Sequence, residues 1–175
     1  MTCSQFWQSS EWHAYERAYG DEPGTRERLL ASAAWKTRVL DLRQDETALW
    51  CGVRKSYHSI INRLTRDADF RIAAVIGRQF LEDCLPMQTR LEGRETRPRA
   101  SWNVQADWLS SGIGRCYVAT REWKPVAFMY MITWNDWAYY GFSKTEEPNA
   151  HHALMWHAIR TLKSDGVRWL ELGWQ

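Results

Sequence analysis

The four cysteines of this 175-residue chain contain no CxxC pair. Cys3, Cys51, Cys84 and Cys116 lie in four separate segments, so zinc-site spacing is absent and no metal is expected. Separate thiols in an ordinary chain point to a reducing cytoplasm. Long apolar runs are also missing. The longest, Pro125 to Trp134, is about a third to a half of a membrane span, so no span is expected. No signal-peptide core is visible at the N-terminus, because Gln5, Glu11 and His13 interrupt it. Neither sign of charge dominates: a net charge of +2 argues against a dedicated nucleic-acid binder. Internal repeats are absent too, and the length suits one domain with a substantial core.

Aromatic residues are abundant, with 12 tryptophans. Tryptophan serves both cores and binding surfaces, so most should pack inside and a minority should line a groove. Residues 1–34 are aromatic and polar with a weak helical pattern, and read as an N-terminal extension closed by a turn at Asp21–Gly24. Lys36 to Leu42 alternates like a short strand. Asp45 is placed to cap one helix from about Glu46 to Arg66, in which Leu49, Val53, Tyr57, Ile60 and Leu64 keep the helical period. Phe70 to Ile76 reads as a buried strand, and Arg78 to Leu91 as a second helix. Ser101 is placed to cap a short helix ending at Leu109. After Gly112 the pattern turns to strands: Arg115–Arg121, Pro125–Asn135 and Trp137–Phe142, joined by short turns that imply antiparallel neighbours. Asn149 should cap a helix from Ala150 to Ser164 that Gly166 ends. The last strand, from Val167, should cross over and lie parallel to Trp137–Phe142. The expected class is α+β, a mixed sheet with flanking helices.

Two segments carry a family resemblance. LWCGVRKSYHSIINRLTR (Leu49 to Arg66) resembles a Leu-Trp pair followed by an Arg-Lys-Ser-Tyr helix and a later Ile-Asn-Arg. WAYYGFS, then LMWHAIRTLKSDGVRWLELG, resembles a tyrosine strand, a Trp-containing helix and a closing acidic-Leu-Gly strand. Together they resemble the FemAB-type branch of the GNAT (Gcn5-related N-acetyltransferase) superfamily, which includes peptidoglycan bridge-forming aminoacyltransferases. The resemblance covers about Lys36 to Gly173. It implies a GNAT-like domain over residues 35–175 and acyl transfer to an amine of a nucleotide-linked sugar or cell-wall precursor. The implied acyl donor is aminoacyl-tRNA, another acyl carrier or acyl-CoA, and no cofactor is assigned. FemAB proteins usually have two such halves, so the resemblance also implies a single half lacking the final sheet strands. That half would be completed by a partner or be reduced in activity. An open edge at the last strand would favour a homodimer with Gln175 at or near the interface. One departure concerns the loop before the last helix. Acetyl-CoA enzymes of the fold use a glycine-rich pyrophosphate cradle there, whereas this chain reads KTEEPNAHH, with Glu146 and Glu147 where an anion would sit.

Candidate catalytic residues are Tyr139, His152 and Glu171. His151 and His152 open the last helix, where the positive end of the helix dipole keeps an imidazole neutral and able to act as a base. His151 falls toward the sheet and His152 beside Trp156, and the competing reading for both is a structural role. Tyr139 and Tyr140 point to opposite faces of their strand. Tyr139 should share a face with Trp137, Gly141 and Ser143, with open space at Gly141, although an ordinary aromatic strand is an even alternative. Glu171 is a base if it faces Tyr139 and a structural acceptor otherwise. By the resemblance, Arg54, Lys55, Tyr57 and Arg63 lie near the substrate groove, against the commoner reading of a solvated helix face. Trp134, Tyr140, Ser143, His151 and Trp156 complete the candidate substrate-binding set. Besides transfer to a glycan precursor, two readings stay open: an acyl-CoA- or acyl-carrier-dependent N-acetyltransferase, and a non-catalytic dimerising half-domain.

Overall fold

The computed structural model describes residues 3–32 and 37–174. One six-stranded sheet, in the order β1-β6-β5-β4-β3-β2, organises the chain. Its strands are β1 (Thr37–Asp41), β2 (Phe70–Val75), β3 (Gly114–Arg121), β4 (Lys124–Trp134), β5 (Trp137–Thr145) and β6 (Trp169–Trp174). Strands β2 to β5 form an antiparallel meander, and β6 joins β5 in parallel after helix α7 (Ala150–Ser164), as the pattern predicts. This is the expected α+β architecture.

Alternation along β3 and β4 splits the core in two. On one face Tyr117, Met129 and Met131 pack against Leu154, Ala158 and Leu162 of α7, with Ile61 and Leu64 of α4 (Lys55–Arg66). On the other, Val118, Phe128 and Tyr130 pack against α5 (Arg78–Glu92) and α6 (Arg99–Ser111). The N-terminal segment contributes to this second core. Phe6 and Trp7, in a 3-10 turn (Cys3–Gln8), and Trp12, in α1 (Ser10–Tyr19), are buried in it, and α2 (Thr25–Ser32) follows.

The edge of β6 is not open. β1 pairs with it antiparallel, Val39 opposite Glu171 and Asp41 opposite Trp169, so a strand from the N-terminal side fills the place expected to be vacant. Gln175 lies outside the described residues.

Four local expectations are corrected. Glu46 to Arg66 is two helices: α3 (Glu46–Gly52) and α4 are separated by an extended Val53 (φ −70°, ψ 135°). His58 Nε2 lies 3.0 Å from the carbonyls of both Trp50 and Val53, so its N–H serves the oxygens that the break releases. Ser101 is inside α6, its Oγ donating to the Pro98 carbonyl at 2.8 Å, and Pro98 occupies the cap position. Asn149 precedes α7 in a left-handed conformation (φ 69°) and makes no side-chain cap bond, a conformation asparagine tolerates better than most residues. Gly141 has no open space: a Cβ there would sit 3.1 Å from the Tyr130 carbonyl oxygen. Asp45 does cap α3, accepting from the Ala48 N–H at 2.8 Å.

Candidate active site

The site begins with a break in sheet pairing. β5 and β6 are paired only over Trp137–Tyr139 against Trp169–Glu171, although β5 continues to Thr145. Tyr139 and Glu171 are the last partners before the ladder stops, so the topology places both at the mouth of the opening. Burial raises the Glu171 carboxyl above its usual pKa, against a hydrogen bond from the Thr37 side chain and the charge of Arg26, both of which pull it down.

The third member, Arg26, comes from outside the stretch that carries the resemblance. Its Nη2 donates to the Tyr139 hydroxyl at 3.1 Å, and its guanidinium lies 5.1 Å from the centre of the Trp7 ring. Trp7 meets Tyr139 edge-on at 5.1 Å. Arg26 is held there by the buried Glu16 carboxylate, which accepts from the backbone N–H of Gly24 at 2.7 Å and of Arg26 at 2.8 Å. Gly20, in a left-handed conformation (φ 100°), ends α1 and lets the chain turn back toward that carboxylate. Glu16 thus clamps the α1–α2 turn and aims Arg26 at the sheet.

A cleft of about 380 Å³ opens beside Tyr139, walled by Trp7, Trp12, Tyr15 and Arg26 on one side and by Phe142 and Lys144 of β5 on the other. A larger cavity of about 490 Å³ between α5 and α6 sets Arg78 and Arg99 among Glu82 and Asp107 and lacks aromatic walls. The smaller cleft is the better candidate, because aromatic walls and a few polar groups converge there beside the parted strands.

A bulge decides which β5 residues face this cleft. Tyr130 pairs with Phe142 and Met131 with Tyr140, leaving Gly141 as the extra residue. Tyr139 therefore does not share its strand face with Ser143, although both line the cleft. Instead the hydroxyls of Tyr140 and Ser143 lie 2.7 Å apart, and Tyr140 packs in the α7-side core.

The remaining candidates, Trp134 apart, gather on that α7 side. His152 stacks on Tyr57 at 3.8 Å between ring centres, and His151 lies 3.8 Å from His152. Burial lowers both imidazole pKa values, as the neutral-base reading requires, and the charge of His151 adds to the effect at His152. Arg54 lies over Tyr57 at 5.8 Å, while Lys55 and Arg63 are exposed. Trp156 packs on Trp50 at 4.7 Å as a core residue, and Trp134 packs on Phe6 at 5.1 Å. The structure thus brings Tyr139 and Glu171 together with Arg26, and places His152 with Tyr57 against the opposite core. In the loop before α7 both carboxylates are paired. Glu146 accepts from Arg90, and Glu147 takes two bonds from Arg121, at 2.7 and 2.8 Å.

Arg26, Gln88, Arg97 and Gln105 of this cleft are missed by sequence reading. One usable signal was present: Gln88 interrupts the apolar stripe of its helix.

No protein-family model matches the sequence, and no curated protein matches it. Its likeness is to solved structures. The crystal structure of FemX superposes with a TM-score of 0.63 at 9% identity, over 86% of this chain and 60% of that one. The chain has a FemAB/GNAT-like fold. L-PGS from Bacillus licheniformis follows at a TM-score of 0.59 and 14% identity, over 80% of this chain and 46% of that one. A GCN5-related glucosamine N-acetyltransferase region of a fungal multi-domain GH3 β-N-acetylglucosaminidase scores 0.55 at 11% identity, over 85% of this chain and 20% of that one. The chain spans 60% or less of each of these structures. Among the described residues, no helix is long and apolar enough to cross a membrane.

Proposed function

We propose that this chain transfers an acyl or aminoacyl group to an amine of a nucleotide-linked sugar or another cell-wall or surface-glycan precursor. The observation that carries the reading is the parting of β5 and β6 beside Tyr139, Glu171 and Arg26, in a fold shared with FemX and L-PGS. In this reading the acceptor amine enters from the aromatic cleft and attacks the acyl carbon. A nitrogen–carbon bond forms, the bond from the acyl carbon to its carrier breaks, and the carrier leaves with the electron pair. Glu171 receives the amine proton, and its raised pKa makes it a stronger base than an ordinary carboxylate. Tyr139, set by Arg26, orients the acyl carbonyl. No covalent enzyme intermediate is needed once donor and acceptor are aligned.

The test is transfer of labelled acyl groups from aminoacyl-tRNA, and separately from acetyl-CoA, to amine-bearing UDP-N-acetyl sugars and UDP-muramyl peptides. Glu171→Gln should slow turnover about 100-fold. Unchanged turnover in both Glu171→Gln and Tyr139→Phe would overturn the assignment. A second reading, an acyl-CoA donor, draws support from the ion pairs of Glu146 and Glu147. Their partners offset the charge that would repel a pyrophosphate at the start of α7. Micromolar acetyl-CoA binding lost on mutating Lys144–His151 would favour it.

A further inference from the structure

Strand β2 ends the sheet, and among the described residues nothing pairs with its outer edge. It runs in unbroken register with β3 from Phe70 to Val75, without proline or bulge. Apart from Arg71, its exposed positions are apolar: Ala73, Ala74 and, just beyond, Ile76, which is 70% exposed. Such an edge offers free N–H and C=O groups to a further strand, and proteins usually protect it. The other end of the sheet shows that protection. β1 has five residues, with a register break between Thr37 and Val39 and an exposed Arg38 at the break.

The charges around β2 also lack partners. Asp69 precedes the strand, Arg71 lies within it, and Arg78 begins α5 just after it. Glu82 and Asp107 stand with Arg78 around the cavity of about 490 Å³ between α5 and α6, which Gly77 also lines. Asp69, Arg71, Arg78, Glu82 and Asp107 are all exposed, and none forms an ion pair among the described residues. Arg71 stacks on Trp123 at 4.4 Å. Phe70 and Ile72 pack in the α7-side core and Val75 in the other, so alternation puts Arg71 on the same face of the sheet as α5, α6 and the cavity.

We infer that β2 pairs antiparallel with β2 of a second copy, joining two sheets into one across a two-fold axis. Facing residues of an antiparallel pair share one hydrogen-bonding class, so the axis passes through a residue and its own copy. Centring it on Ala73 opposes the whole of Phe70–Ile76 with itself, whereas neighbouring registers leave strand ends unpaired. Arg71 of each copy then lies opposite Val75 of the other, on the face where Glu82 and Asp107 wait at the cavity. Asp69 lies opposite Gly77, beside Arg78. The acidic end of one strand meets the basic end of the other twice, as a two-fold interface requires. An unrelated strand could satisfy the backbone but has no reason to carry matching charges at this spacing. A second copy carries them necessarily, and its Arg71 supplies the counter-charge that the cavity rim lacks.

The test is sedimentation velocity of the full chain across micromolar concentrations, with hydrogen exchange of the same samples. The chain should be a dimer at the upper end, where the amides of Phe70–Ile76 should exchange about tenfold more slowly than in the diluted monomer. Ala73→Lys sets two like charges at the axis and should weaken dimerisation about tenfold or more. Arg71→Glu should weaken it similarly, and adding Asp107→Arg to that variant should restore it, which a merely structural role of Arg71 would not produce. The exchange measurement needs no variant, so a misfolded substitution does not spoil it. A monomer throughout, or a dimer whose Phe70–Ile76 amides stay unprotected, would overturn the inference. Dimerisation insensitive to both Ala73→Lys and Arg71→Glu would overturn it as well.

Discussion

Replacing Phe6 by alanine tests whether the N-terminal segment is part of the fold or an appendage to it. Phe6 is fully buried, with the rings of Trp7, Trp12, Trp108 and Trp134 at 5.1 to 5.7 Å. Trp108 belongs to α6 and Trp134 to β4, so this side chain joins the segment to both layers of one core. Truncating a buried phenylalanine costs about 3–5 kcal/mol in transfer and cavity terms. The four surrounding rings are rigid and close poorly over the gap, which places the expected loss in the upper half of that range. A typical domain has about 5–15 kcal/mol in total. At about 2–4 °C per kcal/mol for a chain of this size, the melting temperature should fall by about 10 °C or more. Urea unfolding followed by tryptophan fluorescence measures the loss. Trp123→Ala is the control: Trp123 is 77% exposed, in contact with Arg71, and its removal should cost about 1 kcal/mol or less. A Phe6→Ala loss below about 1 kcal/mol would refute the argument. So would a separate early transition in the wild-type chain, which would mean the segment unfolds by itself.

Gly141→Ala should destabilise by about 1–3 kcal/mol in the same assay, because the new Cβ would press on the backbone carbonyl of Tyr130, and a neutral result would mean the bulge relaxes easily. Asp45→Ala should cost about 1 kcal/mol through loss of the α3 cap, with helix content by circular dichroism as the check. Burial lowers the pKa of His151, His152 and His157, so the unfolded chain binds more protons just below the ordinary histidine value. Their contribution is complete above that value and is lost as pH falls through the folded pKa; melting should drop as pH falls below the ordinary histidine range, and His152→Gln should flatten the slope. Glu171 has the opposite sign, since its raised pKa makes its contribution fall as pH rises past the ordinary carboxylate range. Glu171→Gln should therefore melt higher at neutral pH, and a lower melting temperature would show that its bonds outweigh the cost of burying its charge.

Much of the sheet could be read from the chain alone. Alternation in β3, β4 and β5, two-residue turns between them, and an amphipathic α7 ended by Gly166 determine the meander and the parallel crossover through local periodicity, which depends only on which side chains neighbour one another in sequence. Asp45 belongs to the same class, because a cap acts within one turn of helix. The sequence also placed Tyr139 and Glu171 on adjacent strands, one of two arrangements it left open for the acid.

The remainder depended on contacts that local pattern does not encode. The break at Val53 rests on a histidine reaching back to two carbonyls. The bulge at Gly141 is a count of residues on two strands taken together, and it put Ser143 on the opposite strand face from Tyr139. Strand β1 lies beside β6 across nearly the whole length of the chain, a pairing visible only once both are folded. Arg26 reaches Tyr139 over a separation of 113 residues because Glu16 clamps the turn before it. Gln88 and Gln105 stand out because the folded core buries their carbonyl oxygens without partners among the described residues. Local periodicity therefore determined the elements and their order. Tertiary packing decided the outer partner of β6, the face each β5 side chain occupies and the composition of the cleft, because each depends on distances between residues far apart in the chain.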